Sequence, residues 1–255
     1  TTNPIFTELV DDVFFMIDIH AHILSAIDDG PETIEESIEI CKVAANDGIK
    51  KIVATPHSKN GVYETKSVEI IKAVDVLNTQ LLVNKIDIDI LPGAEIHICE
   101  GLVENIENGD VLTINNGGKF ILLELPFVFV PPGTDKFIFN LKSNGIIPII
   151  AHAERITTFQ RKPELLDQLV KIGARVQINA HCLTKRAIPG EKKCAEWLLK
   201  NRLVHFIASD VHSLNGRPPI LSKALETATR IVGEEAARAL VFRNPELIIN
   251  GLDIY

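Results

Sequence analysis

"MIDIHAHILSAIDDGPETIEESIEICKVAANDGIKKIVATPH", residues 16–57, reads as a strand, a helix and a second strand in succession. The first strand is the apolar run "FMIDIH" over 15–20, and the second is "KIVAT" over 51–55. Between them, residues 31–48 carry a helical pattern, with Pro31 near its start, Glu32, Glu35 and Glu36 in its first turns and Gly48 as its stop. Ile34, Ile38, Cys41 and Ala45 recur at three- and four-residue steps, which predicts one buried face. Two strands joined by a helical crossover pair in parallel, because so long a connection suits neighbours that run the same way.

The same alternation continues outward along the chain. Further strand candidates are "DILPGAE" (89–95), "FILLEL" (120–125), "IPIIAH" (147–152), "RVQINA" (175–180) and "HFIASD" (205–210). "KPELLDQLVKIG" and "PGEKKCAEWLLKN" repeat the helical pattern after the fifth and sixth of them. No repeat, low-complexity segment or linker interrupts this order, so residues 16–255 are expected to form a single α/β domain around a parallel sheet. Residues 1–15 are expected to be an extension ahead of it, since Met16 directly precedes the first clear strand.

Composition narrows the function. A net charge of −8 offers no basic surface field to grip nucleic-acid backbones. Four cysteines without C-x-x-C spacing suit reduced, buried thiols in a cytoplasmic protein. The first fifteen residues lack the basic and apolar regions of a signal peptide, and no window resembles a membrane span.

In open and closed parallel sheets alike, ligands gather at the carboxyl ends of the strands. At or just past those ends stand His20 and His22, His57, Glu95, Glu124, His152 with Arg155, and Asp210 with His212. Only the sixth strand lacks an obvious ligand, although His181 follows it. His20 and His22 share one side of an extended chain, as would Asp210 and His212. Each of these residues alone is unremarkable. Together, imidazole nitrogens and carboxylates on one mouth are what a site with several metal ions requires. His97, two residues past Glu95, is a candidate to support such ligands; His181 lies near the mouth but is expected to serve the fold rather than the site, and His205, which begins a strand, is expected to be structural.

"DIHAHIL", "ATPH", "GAEI", "IAHAER" and "ASDVH", in this order, resemble the PHP (polymerase and histidinol phosphatase) superfamily. "DDGPETIEES", "LLELPF", "QIN" and "SDVHSLNGRPP" bring the chain closer to the bacterial PHP-type protein-tyrosine phosphatases of capsule and exopolysaccharide operons. The resemblance covers about residues 16 to 250; the front extension departs from it. It implies a distorted seven-stranded (β/α)7 barrel with three metal ions at its C-terminal mouth. By matching motif, His20, His22, Glu95 and Asp210 would hold the first ion, Glu95, Glu124 and His152 the second, and Asp29, His57 and His212 the third. Arg155 and Arg217 match the family's phosphate-gripping arginines, and Asp28 has no matching role beyond shaping the turn. Manganese is the leading expectation, with iron, zinc, magnesium and cobalt as alternatives. The implied substrate is a phosphotyrosine protein, a bacterial tyrosine autokinase that controls polysaccharide synthesis and export.

The chemistry follows from the substrate. A phosphate monoester resists attack because the nucleophile and the phosphorus centre both carry negative charge. Divalent cations lower the pKa of a bound water and neutralise the phosphoryl oxygens, so a metal-bound hydroxide is the expected nucleophile. A thiol route would need an arginine six residues after a cysteine. Those positions, counted from Cys41, Cys99, Cys182 and Cys194, hold Asp47, Asn105, Ile188 and Lys200. Three competing functions are a histidinol-phosphate or other small phosphomonoester phosphatase, a PHP nuclease, and a non-catalytic module stabilised by metal. "IDDGPETIEES", the acidic charge, and the intact ligands with both arginines argue against them in turn.

Overall fold

All named strands run parallel to their partners in the computed structural model, which describes residues 14–185 and 187–254. The strands are β1 (Met16–Ala21), β2 (Ile49–Ala54), β3 (His57–Ser58), β4 (Asp89–Pro92), β5 (Glu95–His97), β6 (Phe120–Glu124), β7 (Ile147–Ile150), β8 (Arg175–Asn179) and β9 (Phe206–Ala208). They order as β1-β2-β4 and β3-β5-β6-β7-β8-β9. β2 and β3 follow one another beside β4 and β5, so the two sheets are successive stretches of one curled surface. Seven expected segments thus become nine strands among the described residues, because the third is broken in two and a short strand, β3, is added just past the second. Gly93 stands at the break, where an added Cβ would meet Val53 Cγ1 at 2.7 Å; only glycine allows so close an approach. The curl brings β1 to the far end, where His22 N donates to Val211 O and Asp210 N to His20 O, both at 2.8 Å.

Period-two alternation explains how the sheet serves two layers. Phe120 and Leu122 of β6, Ile149 of β7 and Phe206 and Ala208 of β9 face one core, joined by Ile17 and Ile19 of β1. Ile121 and Leu123, Ile150 and Ile207 belong to the other core, against the helices. The helices are α1 (Ile34–Asn46), α2 (Ser67–Val83), α3 (Leu102–Glu107), α4 (Thr134–Ser143), α5 (Thr157–Arg161), α6 (Glu164–Ile172), α7 (Pro189–Lys200), α8 (Ser222–Val232), α9 (Glu234–Arg238) and α10 (Asn244–Ile249). None among the described residues is long and apolar enough to cross a membrane.

α1 starts later than the acidic run suggests. Thr33 caps it, its hydroxyl accepting from Glu36 N while Glu36 Oε2 accepts from Thr33 N, a reciprocal pair worth about 1 kcal/mol. Its buried face is Ser37, Ile40, Cys41 and Ala44, with Ile34, Ile38 and Ala45 only partly buried beside it. The apolar stripe is wide enough to include Ile40, and packing against the sheet selects that side. Of the expected extension, residues 1–13 lie outside the described residues. Phe14 and Phe15 pack their rings on Phe242, with centroids 6.1 and 4.8 Å away.

Candidate metal centre

The face that carries Phe120 and Leu122 continues to Glu124, and the face that carries Phe206 and Ala208 continues toward Asp210. Alternation thus delivers carboxylates to the end of the inner core. β1 behaves differently, because strict alternation after Ile17 and Ile19 would send His20 outward. A register shift between Asp18 and Ala21 turns it in instead. His20 Nε2 then lies 3.2 Å from His22 Nε2, 3.5 Å from Glu95 Oε1 and 3.4 Å from Asp210 Oδ1. The pairing of Asp210 with His212 is not that of an extended chain, since Asp210 adopts a left-handed φ of 54°. Its carboxylate meets His20, while His212 Nε2 reaches Asp29 Oδ1 at 3.4 Å. His152 is also left-handed, with φ 30°, and its Nε2 lies 2.8 Å from Glu95 Oε1 and 3.9 Å from Glu124 Oε1. Strained backbone at two such positions is typical of sites whose side chains are aimed for function.

Three groups of donor atoms each fall within 4.8 Å: His20, His22 and Glu95; His57, Glu95 and Glu124; and His22, Asp29, His57 and His212. His152 and Asp210 stand outside these three groups but meet Glu95 and His20 at the same mouth, and His57 lies closer to Glu95 and Glu124, and His22 closer to Asp29, than the motifs alone suggest. The donor set fits divalent cations. Nδ1 of His57, Oε2 of Glu95 and Nδ1 of His152 are buried and make no hydrogen bond, although the first two stand 3.0 Å apart. Buried polar atoms left without partners at a set of nitrogen and carboxylate ligands are what coordination would satisfy.

The electrostatics agree. Burial works against charge on Glu95, but the imidazoles of His20 and His152 outweigh it and hold the carboxyl well below its usual range. Burial likewise opposes the imidazolium forms of His20 and His22, yet Glu95 and Asp210 raise the first, and Asp28 and Glu95 the second. His212 goes the other way, pushed down to about 4 by burial and by His22. Glu95 is thus ionised, and the protons its neighbours draw to His20 and His22 would have to leave for those nitrogens to bind a cation.

Arg155 Nη1 donates to Asp210 Oδ2 at 3.3 Å, and Arg217 Nη1 bonds the same oxygen. Both arginines border the ligand cluster. His97 Nδ1 lies 3.4 Å from Glu124 Oε2, whereas His181 faces Glu191 instead, at 3.5 Å. His205 Nδ1 accepts from Val176 N at 3.2 Å, a structural role.

Three contributors escape motif reading. Asp28 does more than shape the turn: its Oδ2 accepts from His22 Nδ1 at 2.6 Å and from His57 N at 3.0 Å, and its Oδ1 from Gly30 N. Gln177 and Asn179 alternate inward on β8, the strand without an obvious ligand. Gln177 Oε1 accepts hydrogen bonds from His20 Nδ1–H at 3.1 Å and from His152 N–H at 2.7 Å. Asn179 Nδ2 donates to Asp210 Oδ2 at 2.6 Å. Such partners fix the tautomer and direction of each ligand. The "QIN" stretch is the only trace of Gln177 and Asn179 in the motifs, while Asp28 lies within "DDGPETIEES".

The cysteines are unpaired, and Cys41, Cys182 and Cys194 are buried. Burial pushes the Cys41 and Cys194 thiols up to about 12, and Cys182 well above its usual value. They are poor nucleophiles.

A curled parallel sheet with imidazoles and carboxylates at its carboxyl mouth defines a metal-binding protein of the PHP kind. The chain belongs to the capsular polysaccharide synthesis CpsB/CapC family, whose profile matches residues 16–250. It is 36% identical over 240 residues to the tyrosine-protein phosphatase YwqE of Bacillus subtilis, covering 94% of each chain. It is 32% identical over 239 residues to the tyrosine-protein phosphatase CpsB of Streptococcus agalactiae, covering 92% of this chain and 98% of that one. A chain from the crystal structures of YwqE from Bacillus subtilis and CpsB from Streptococcus pneumoniae, described as unique metal-dependent tyrosine phosphatases, superposes with a TM-score of 0.89. The two are 35% identical, and 94% of this chain and 96% of that chain are covered.

Proposed function

We propose that this protein is a cytoplasmic, metal-dependent protein-tyrosine phosphatase whose working unit is residues 16–255. The observation that carries it is the convergence of nine imidazole and carboxylate side chains beside two arginines at one mouth of the sheet. We assign His20, His22, Glu95 and Asp210 to one ion, Glu95, Glu124 and His152 to a second, and Asp29, His57 and His212 to a third. Manganese is the first candidate for all three; iron, zinc, magnesium and cobalt suit the same nitrogen and oxygen donors. Bound divalent ions would supply an acidified water and neutralise charge on the phosphoryl oxygens.

The chain's own residues do the rest. Gln177 Oε1 accepts a hydrogen bond from Nδ1–H of His20, which keeps the proton on Nδ1 and leaves the Nε2 lone pair directed into the site. Asp28 does the same for His22. Arg155 and Arg217 offer planar, doubly donating groups that suit phosphate oxygens better than an ammonium would. Until phosphate arrives, Asp210 and its hydrogen-bond partner Asn179 keep them in place. The phosphoprotein we assign is a bacterial tyrosine autokinase whose phosphorylation controls polysaccharide export, a role consistent with the family.

A panel of a phosphotyrosine peptide, L-histidinol phosphate and single-stranded DNA, assayed with manganese, tests the assignment. Phosphate release should be fastest from the peptide. Faster turnover of histidinol phosphate, or nucleotide release from DNA, would overturn it.

A further inference from the structure

The segment after β6 departs from what a catalytic rim usually carries. Loops at such mouths are ordinarily polar, but "LPFVFVPPG" (125–133) sets three apolar side chains in a row: Phe127 is 40% exposed, Val128 73% and Phe129 52%. Pro131 and Pro132 follow directly and restrict the backbone. Phe127 itself is fixed, because Thr157 N donates to its carbonyl at 2.7 Å. Its ring lies 4.5 Å from the Arg155 guanidinium carbon and 5.2 Å, centre to centre, from the His152 imidazole. A half-exposed aromatic ring therefore borders both a proposed phosphate-binding group and a proposed metal ligand.

We propose that Phe127, flanked by Val128 and Phe129, receives the phenyl ring of an aryl phosphomonoester and so selects phosphotyrosine over alkyl phosphates. This rests on the phosphatase assignment above. The ring of an aryl phosphate is attached to phosphorus through one bridging oxygen. Phosphate held at Arg155 accordingly brings that ring within contact of whatever borders the arginine. Phe127 supplies an aromatic edge or face there, and aromatic pairs attract beyond the area they bury. A serine or threonine phosphate has no ring to place against it.

A purely supporting role would differ in a measurable way. If Phe127 only steadied Arg155 through its ring face, its loss would weaken every phosphate ligand alike. The test is binding of phenylphosphonate and ethylphosphonate, by titration calorimetry, to the manganese-loaded protein and to the F127A and F127W variants. Metal content is measured in each, and KM and kcat are measured on a phosphotyrosine peptide. We expect a preference for phenylphosphonate that falls about tenfold in F127A and persists in F127W, with the peptide's KM rising more than its kcat falls. An unchanged preference in F127A, or an equal loss for both phosphonates, would overturn the assignment. A phenyl preference that vanishes in F127A in a protein releasing no phosphate would keep the aryl subsite and overturn the phosphatase function instead.

Discussion

Asp28 joins two parts of the site, and replacing it with alanine should loosen both. Its side chain is buried and accepts three hydrogen bonds: from His22 Nδ1 at 2.6 Å, His57 N at 3.0 Å and Gly30 N at 3.1 Å. Burial alone would raise its pKa, but the bond from His22 outweighs this and lowers it, so the carboxylate is charged when it does this work. Bonds to a charged group contribute about 1.5–3 kcal/mol each, and orphaned donors cost about 1–3 kcal/mol. Water entering from the turn will satisfy some of them, and the three share one acceptor group, so they do not add. We expect Asp28→Ala to lose about 2–4 kcal/mol of stability, read by urea unfolding in the presence of chelator. Freed from Asp28, His22 loses its fixed tautomer, and metal affinity should drop about 10- to 100-fold in competition with a chromogenic chelator. Asp28→Asn should fall between alanine and the native residue. Native affinity and stability in Asp28→Ala would refute the role assigned to this carboxylate.

Glu95 touches four imidazoles, His20, His22, His57 and His152, so Glu95→Gln should strip bound metal and abolish turnover together; normal metal content by elemental analysis would contradict the bridging assignment. Arg155→Ala and Arg217→Ala should instead retain metal and lose roughly tenfold or more in kcat/KM, since each removes a charge-assisted contact. Loss of metal from either would mark that arginine as structural. His205 is held neutral in the fold, its pKa pushed down to about 4 by burial and by Arg175. Below about pH 6.5 the unfolded chain takes up a proton that the folded one refuses, so stability should fall as pH drops toward about 4, by at most about 3 kcal/mol from this residue. His205→Asn, which keeps an acceptor for Val176 N, should flatten that slope; parallel unfolding curves for the two proteins would contradict it.

The parallel α/β order was legible because each strand is a short β-branched run between helical patterns, and the convergence of the imidazoles and carboxylates on one mouth was legible because they stand at or just past the ends of those runs. His57, Glu124 and His152 needed nothing more than that rule. What local pattern could not reveal depends on contacts between distant segments. Gln177 meets His20 across 157 positions of sequence, and Asp28 meets His57 across 29. The break within the third segment falls at Gly93, which approaches Val53 closely, a neighbour known only once the sheet is formed. Period-two logic delivered Glu124 and the inner face of Asp210, but misdescribed the pairing of Asp210 with His212, because the chain leaves the extended conformation at Asp210. The buried face of α1 shifted for a similar reason, as packing chose among apolar residues on a wide stripe.

Whether the metals or the thiols carry the chemistry is settled most directly on one phosphotyrosine peptide, with two treatments of the same protein. Exhaustive chelation should abolish phosphate release, and added manganese should restore it. Alkylation of the accessible cysteines, or replacement of Cys41, Cys99, Cys182 and Cys194 together by serine or alanine, should leave turnover per folded molecule unchanged, because these thiols are raised by burial and stand outside the three donor groups. Phosphate release that survives chelation and disappears on alkylation would mean a cysteine nucleophile, and would contradict a metal centre built from His20, Glu95 and Asp210.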